Sequence, residues 1–333
     1  MKRGTLAVAA LLLAACLSAT GGRATADRLP RVGFVTNSGV APSKRTLEGQ
    51  MLAGFLEAEK KLRIQGRVVY LSPTQDPAGT LSYLARQKYD LLIVALPRLD
   101  IVYAVARKFP QARFFLIDVP VHGPPRKPRN VQGSIYRAEE AGYLAGYLAA
   151  LVEGRRTGKH VISAVGGFKY EGVDRWTVGY RAGARKADPA INVQVGYSDD
   201  FANPAKCRRV ALSQIARGSR VVFNVAGLCG LGALRAAKEE NVWGVGVDID
   251  QSFLGPHILT SGLIRLDKGV FAVVQRLVQG KLGNDGAPVY FDVRNGGVGL
   301  GRISPKVPET LLRRLERIRR AIAAGKIRVP RAT

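Results

Sequence analysis

Cysteine is scarce: three in 333 residues, too few for a disulfide-built scaffold. Three histidines leave little room for a histidine metal site. After residue 17 no stretch reaches 18 uninterrupted apolar residues, so no membrane-spanning helix is expected. Acidic residues are few, 25 Asp and Glu against 51 Lys and Arg, and the formal net charge is +26. Catalytic signatures are missing as well: no His-Glu-x-x-His, no Gly-x-Ser-x-Gly and no P-loop. His122, His160 and His257 have no nucleophile at a recognisable spacing. Gly227, Gly230 and Gly232 do not make the dinucleotide fingerprint. An enzyme, a cofactor and a metal are therefore not expected. Despite the charge, there is no zinc-ligand spacing, no aromatic–basic RNA motif and no basic zipper, so no nucleic-acid partner is expected.

What remains is ordinary globular material, 47% hydrophobic and 23% charged, enough to build a core. The length predicts two domains. Lys2 and Arg3 precede an apolar run over 6–17, too short to span a bilayer and suited to a signal-peptide core. The run ends in Leu13-Ala14-Ala15-Cys16, which resembles the lipobox of bacterial lipoproteins. That implies a signal peptide over 1–15, a lipidated Cys16 and a flexible tether over 16–30, with the mature chain anchored outside the cytoplasm. Ala24-Thr25-Ala26 offers ordinary secretion, after cleavage at Ala26, as the alternative. Either cleavage leaves a strongly basic chain, favouring anionic lipid headgroups or wall polymers.

From residue 31 short β-branched runs alternate with helical periodicity. The runs lie at 32–36, 68–71, 91–94, 114–117 and 131–135, then at 160–165, 193–197, 221–225 and 243–247. Most are apolar throughout, as in a parallel sheet covered on both faces. Between them, 46–60 carries a stripe of Leu47, Met51, Leu52, Phe55 and Leu56. Asp76-Pro77 is an N-cap and first-turn pair. Gly142 and Gly146, one turn apart, allow close packing, and 309–324 is an amphipathic helix with an arginine-rich outer face. The fold class is α/β, with two Rossmann-like doubly wound lobes.

Ligands in such sheets bind beyond the carboxyl ends of the strands. Those ends carry Asn37, Asp118, Gly166-Gly167, Asp199-Asp200-Phe201, Gly227 and Asp248. Acids, glycines and an aromatic make a polar cleft able to stack a flat ligand.

The order and spacing of several short motifs resembles the basic membrane protein family, the nucleoside-binding lipoproteins of bacterial ABC importers. They are Phe109-Pro110 with Phe115-Leu116-Ile117-Asp118, Tyr143-Leu144-Ala145-Gly146, Val165-Gly166-Gly167, Gly179-Tyr180-Arg181-Ala182-Gly183 and Val225-Ala226-Gly227. Gly246-Val247-Asp248-Ile249-Asp250-Gln251, Leu259-Thr260-Ser261 and Gly325-Lys326-Ile327-Arg328-Val329-Pro330 complete the set. The resemblance covers 31 to about 330. It implies the type I periplasmic binding protein fold with three crossovers. Lobe 1 would hold 31–137 and 259–287, lobe 2 would hold 138–258 and 288–333.

It also implies a site. Asp118 matches the acid that reads the base, Phe201 a stacking aromatic and Asp248 the acid that holds ribose hydroxyls. Asn37 falls near the family's early acid. The second stacking aromatic becomes Leu47, the base-reading Asn becomes Glu48, and the family lysine falls on Ile264 with Arg265 beside it. Trp176 is a further aromatic for the wall, or a core residue, and Gly227 completes the set. Base stacking contributes about 1–3 kcal/mol and a hydrogen bond to a charged group about 1.5–3 kcal/mol. The departures therefore cost a purine nucleoside roughly two to four decades of affinity unless other contacts replace them. Lys44 and Arg45 would favour an anionic group or face solvent.

Cys207 and Cys229 fall on the same sheet edge, where either a disulfide or two free buried thiols fits. The expected partners are a small nucleoside-like ligand, an ABC permease and, through the anchor, a membrane; the chain is expected to be a monomer. Two other functions stay open at this level: a ligand sensor of the same fold feeding a regulator, and a surface-interaction lipoprotein.

Overall fold

Two six-stranded sheets are built on one plan, strand for strand. The computed structural model describes residues 28–332 except 44, 73, 96–97, 120–126 and 284–285. The expected signal segment, Cys16, Ala26, Lys44 and His122 lie outside the described residues.

The first lobe contains β1 (Arg31–Thr36), α1 (Leu47–Lys61), β2 (Gln65–Tyr70), α2 (Pro77–Arg86), β3 (Leu91–Ala95), α3 (Leu99–Lys108), β4 (Phe114–Leu116) and β5 (Val131–Tyr136). The second contains α4 (Ala138–Glu153), β6 (Val161–Gly166), α5 (Glu171–Ala187), β7 (Asn192–Tyr197), α6 (Pro204–Ala216), β8 (Val221–Val225), α7 (Gly230–Glu239), β9 (Trp243–Asp248) and β10 (Ile258–Ile264). The chain then returns through α8 (Leu266–Val278) and β11 (Val289–Phe291) to lobe 1. It ends with β12 (Val298–Leu300) and α9 (Glu309–Ala323) on lobe 2.

The strand orders are β11-β5-β4-β3-β1-β2 and β12-β10-β9-β8-β6-β7. All pairs are parallel except β10 with β12. β4 and β9 thus hold the same place in their sheets, as do β1 and β6. Strands β1, β3, β4, β6 and β8 are almost wholly buried, as expected for sheets covered by helices on both faces.

The lobe limits differ from the sequence reading. β10 pairs with β9 in the second sheet, so the crossover falls at 265 rather than 259. β11 pairs with β5 in the first sheet, so the return falls after 291 rather than after 287. The three crossovers run side by side: the Arg137 N–H donates to the Phe291 carbonyl, and the Arg265 N–H to the Gly297 carbonyl, both at 2.8 Å.

One helix pair fixes the geometry of the second lobe. α4 is buried almost all round, and Gly142 and Gly146 face the backbone of α5. A Cβ on Gly146 would stand 1.9 Å from the Tyr180 carbonyl, and one on Gly183 of α5 would stand 1.9 Å from the Tyr143 carbonyl. The two backbones interlock through reciprocal glycines, leaving α5 little room to slide.

Candidate functional site

Asp118 and Asp248 face one cavity of about 500 Å³ between the lobes. Leu47 and Asp118 come to its wall from lobe 1. Tyr170, Val173, Arg175, Trp176, Phe201, Val225, Gly227, Val247 and Asp248 come from lobe 2, with Ile264 at a crossover.

Each acid is placed by its strand. Asp118 lies just past β4, and its N–H donates to Ser134 Oγ at 2.9 Å. Asp248 ends β9. Both have left-handed backbones, φ 51° and 65°, a region that Asp enters more readily than most residues. Behind Asp248, Gln251 Oε1 accepts from the Val247 N–H at 3.0 Å and from Asn224 Nδ2 at 3.3 Å. The Gln251 N–H donates to Ser261 Oγ at 3.0 Å. This buried network ties β8, β9 and β10 together at the rim; such groups are costly when unpaired and rigid when satisfied.

Phe201 is placed by the loop after β7. Asp200 accepts from the Ala202 and Asn203 N–H groups at 2.7 and 2.9 Å, which holds its carboxyl down at about 2. Asp200 therefore builds the loop. The Phe201 ring lies over Gly167, where a Cβ would come within 2.2 Å of it. Phe168 and Tyr170 flank it at 5.3 and 6.2 Å between ring centroids. The Phe201 carbonyl accepts from the Cys229 N–H at 2.9 Å. Cys207 and Cys229 are joined as a disulfide, with Cα atoms 5.5 Å apart, fastening α6 to the start of α7 beside Gly227.

The electrostatics follow from burial. Loss of water pushes Asp118 up to about 7; the nearby Asp248 raises it further, while Arg175 and the Tyr136 N–H draw it down. Burial pushes Asp248 up to about 6. Tyr170 is raised by burial and then by Asp248.

Of the residues named from sequence, Leu47, Asp118, Trp176, Phe201, Gly227 and Asp248 meet at this wall, and Asn37, Glu48 and Arg265 do not. Asn37 is exposed beyond β1. Glu48 is one helical step, about 100°, from Leu47, which turns it off the cleft face. Arg265 is held by Asp267 at 2.9 and 2.6 Å in a smaller neighbouring cavity, while Ile264 lines the larger one. Trp176 does both jobs weighed for it: it packs against Phe223 with centroids 6.1 Å apart and reaches the wall.

Arg175 and Tyr170 escaped the sequence reading. They follow the Gly166-Gly167 pair already marked at the end of β6, on the loop and first turns of α5. Arg175 Nη1 donates to the Tyr136 carbonyl at 3.2 Å, bridging the lobes. Its Nε, though buried, has no acceptor among the described residues; such an orphan donor costs about 1–3 kcal/mol.

A family model described as "ABC transporter substrate-binding protein PnrA-like" matches residues 46–333. The chain belongs to this Bmp family. Basic membrane protein A2 of Borrelia garinii subsp. bavariensis is 27% identical over 318 residues, 94% of this chain and 92% of that protein. The ABC transporter nucleoside-binding protein BmpA of Lactococcus lactis subsp. cremoris is 29% identical over 235 residues, 65% of this chain and 64% of that one. A solved ABC transporter solute-binding protein from Aeropyrum pernix K1 superposes with a TM-score of 0.71 at 21% identity, covering 92% of this chain and 94% of that chain. The Bmp-family fold is thus the two-lobed α/β fold of ABC solute-binding proteins. Members of this family are substrate-binding proteins of ABC transporters.

Proposed function

We propose that this chain binds a nucleoside, or a closely related hydroxylated solute, and presents it to an ABC permease while tethered outside the cytoplasm through lipidated Cys16. One observation carries the reading. Acids from equivalent strand ends of opposite lobes, Asp118 and Asp248, meet across a cavity that also holds an aromatic platform, Phe201 with Tyr170 beside it. A flat heterocycle can stack on Phe201, while one acid accepts N–H groups of the base and the other accepts sugar hydroxyls. A cavity of about 500 Å³ is within the size range of small-molecule sites. A ligand touching both lobes stabilises the closed arrangement by its differential affinity for it.

Leu47 stands where the family has a second aromatic, so the base is stacked on one face and covered by an aliphatic side chain on the other. Adenosine and guanosine should therefore bind more weakly than to members with both aromatics. Native mass spectrometry of the purified protein tests the proposal: a co-purified species with the mass of a nucleoside supports it. A co-purified ligand lacking a heterocyclic base, together with no binding of added nucleosides, would overturn it.

A further inference from the structure

We infer that Arg175 selects among ligands of this cleft: it donates to a ring carbonyl whose neighbouring N–H is accepted by Asp118, so a base with a lactam edge is preferred. The inference rests on the nucleoside reading and deepens it.

Tyr136, the last residue of β5, is the shared support. Its carbonyl accepts from Arg175 Nη1 at 3.2 Å, and its N–H draws the Asp118 carboxyl down. A guanidinium from lobe 2 is thus held on the backbone of lobe 1 near Asp118, and both groups line the same cavity. Among the described wall residues Arg175 is the one cation. Its buried Nε has no acceptor among the described residues.

The helix carrying Arg175 is fixed on three sides. The interlocked glycines bind α5 to α4. On one side of Arg175, Asp174 Oδ1 accepts from the Tyr197 hydroxyl at 2.6 Å. On the other, Trp176 packs against Phe223. The guanidinium is therefore presented, not free to seek a partner.

The chemistry then sets the preference. Arginine only donates and an ionised carboxylate only accepts. Side by side they match an acceptor next to a donor, as in the O6 and N1–H of a 6-oxopurine. Adenosine presents the reverse order at the same two positions, a 6-amino donor and an N1 acceptor. Sites built to hydrogen-bond a given group discriminate strongly against its absence.

Calorimetric titration of inosine, 1-methylinosine and adenosine into the full protein tests this. The wild type should bind inosine at least about tenfold more tightly than adenosine. 1-Methylinosine, which lacks the N1–H, should lose about as much without any change to the protein. Arg175→Met should remove the preference by weakening inosine while changing adenosine little, and Arg175→Lys should restore part of it. Equal or tighter binding of adenosine by the wild type, unchanged binding of 1-methylinosine, or an equal loss for both nucleosides in Arg175→Met would overturn the assignment. The ligand-side comparison decides the matter even if a variant fails to fold. If no nucleoside binds the wild type, the nucleoside reading fails first and takes this inference with it. Nucleoside binding without a 6-position preference refutes the role of Arg175 alone.

Discussion

Asp118 and Asp248 occupy equivalent positions in the two lobes. Each ends the third strand in from the crossover edge of its sheet, each has a left-handed backbone, and each faces the same cavity. The pairing follows from the strand order shared by the two sheets. Two copies of one strand order, facing each other, bring two acids onto a ligand from opposite sides.

That arrangement sets a pH dependence. Both carboxyls are raised from an ordinary 3.8, to about 7 and about 6. The folded, ligand-free protein then holds protons that the unfolded chain has already released, so stability falls as pH rises from about 4 to about 7. Asp118→Asn should flatten part of that fall and stabilise the empty protein at pH 8 by at most a few kcal/mol. Denaturant titrations of both proteins between pH 4 and 8 measure the difference. His160, raised by its bond to Asp188, adds a fall in the same direction at pH above 6.5, and the comparison of the two proteins cancels it. Nucleoside affinity should run the other way, rising with pH over the same window as the carboxylates become acceptors. An affinity independent of pH between 5 and 8 would contradict this use of the acids.

In the proposed site Phe201 supplies the aromatic platform from lobe 2. Phe201→Ala should weaken nucleoside binding by about 1–3 kcal/mol, close to tenfold or more, with little change in melting temperature because the ring is more than a third exposed, 37%. Leu47→Phe, which offers a ring from the opposite lobe, should strengthen binding by a comparable amount. Competition titrations against one nucleoside would read both changes.

The disulfide closes a loop of 22 residues. Replacing both Cys207 and Cys229 by Ser should lower stability by ~3 kcal/mol, measured as a reduced denaturation midpoint. The loop between them carries Phe201's neighbours α6 and Gly227, so ligand affinity should fall as well.

Much of this was legible in the sequence, for physical reasons. Nine strand runs stood out because most are apolar throughout, as befits strands of a parallel sheet covered on both faces. Asp118 and Asp248 were picked out because ligand clefts in such sheets lie beyond the strand ends, and both line one cavity. β10 was harder: Thr260, Ser261 and Gly262 interrupt its apolar run, and β11 and β12 are three residues each. Their sheet membership is decided by pairing across the crossovers, which no local pattern encodes, and so the lobe limits moved. Glu48 was misplaced by one residue of helix phase. Arg175 and Tyr170 were invisible because their place at the wall depends on the packing of α5 against α4, a relationship between residues more than thirty positions apart.

The most direct test of the clamp is calorimetric titration of inosine into the wild type and into Asp248→Ala at pH 7.5. The proposed clamp predicts clear binding by the wild type and none detectable by the variant, with the variant's circular dichroism preserved and its melting temperature no lower than the wild type's. An unchanged affinity in Asp248→Ala would show that the two acids do not close on the ligand.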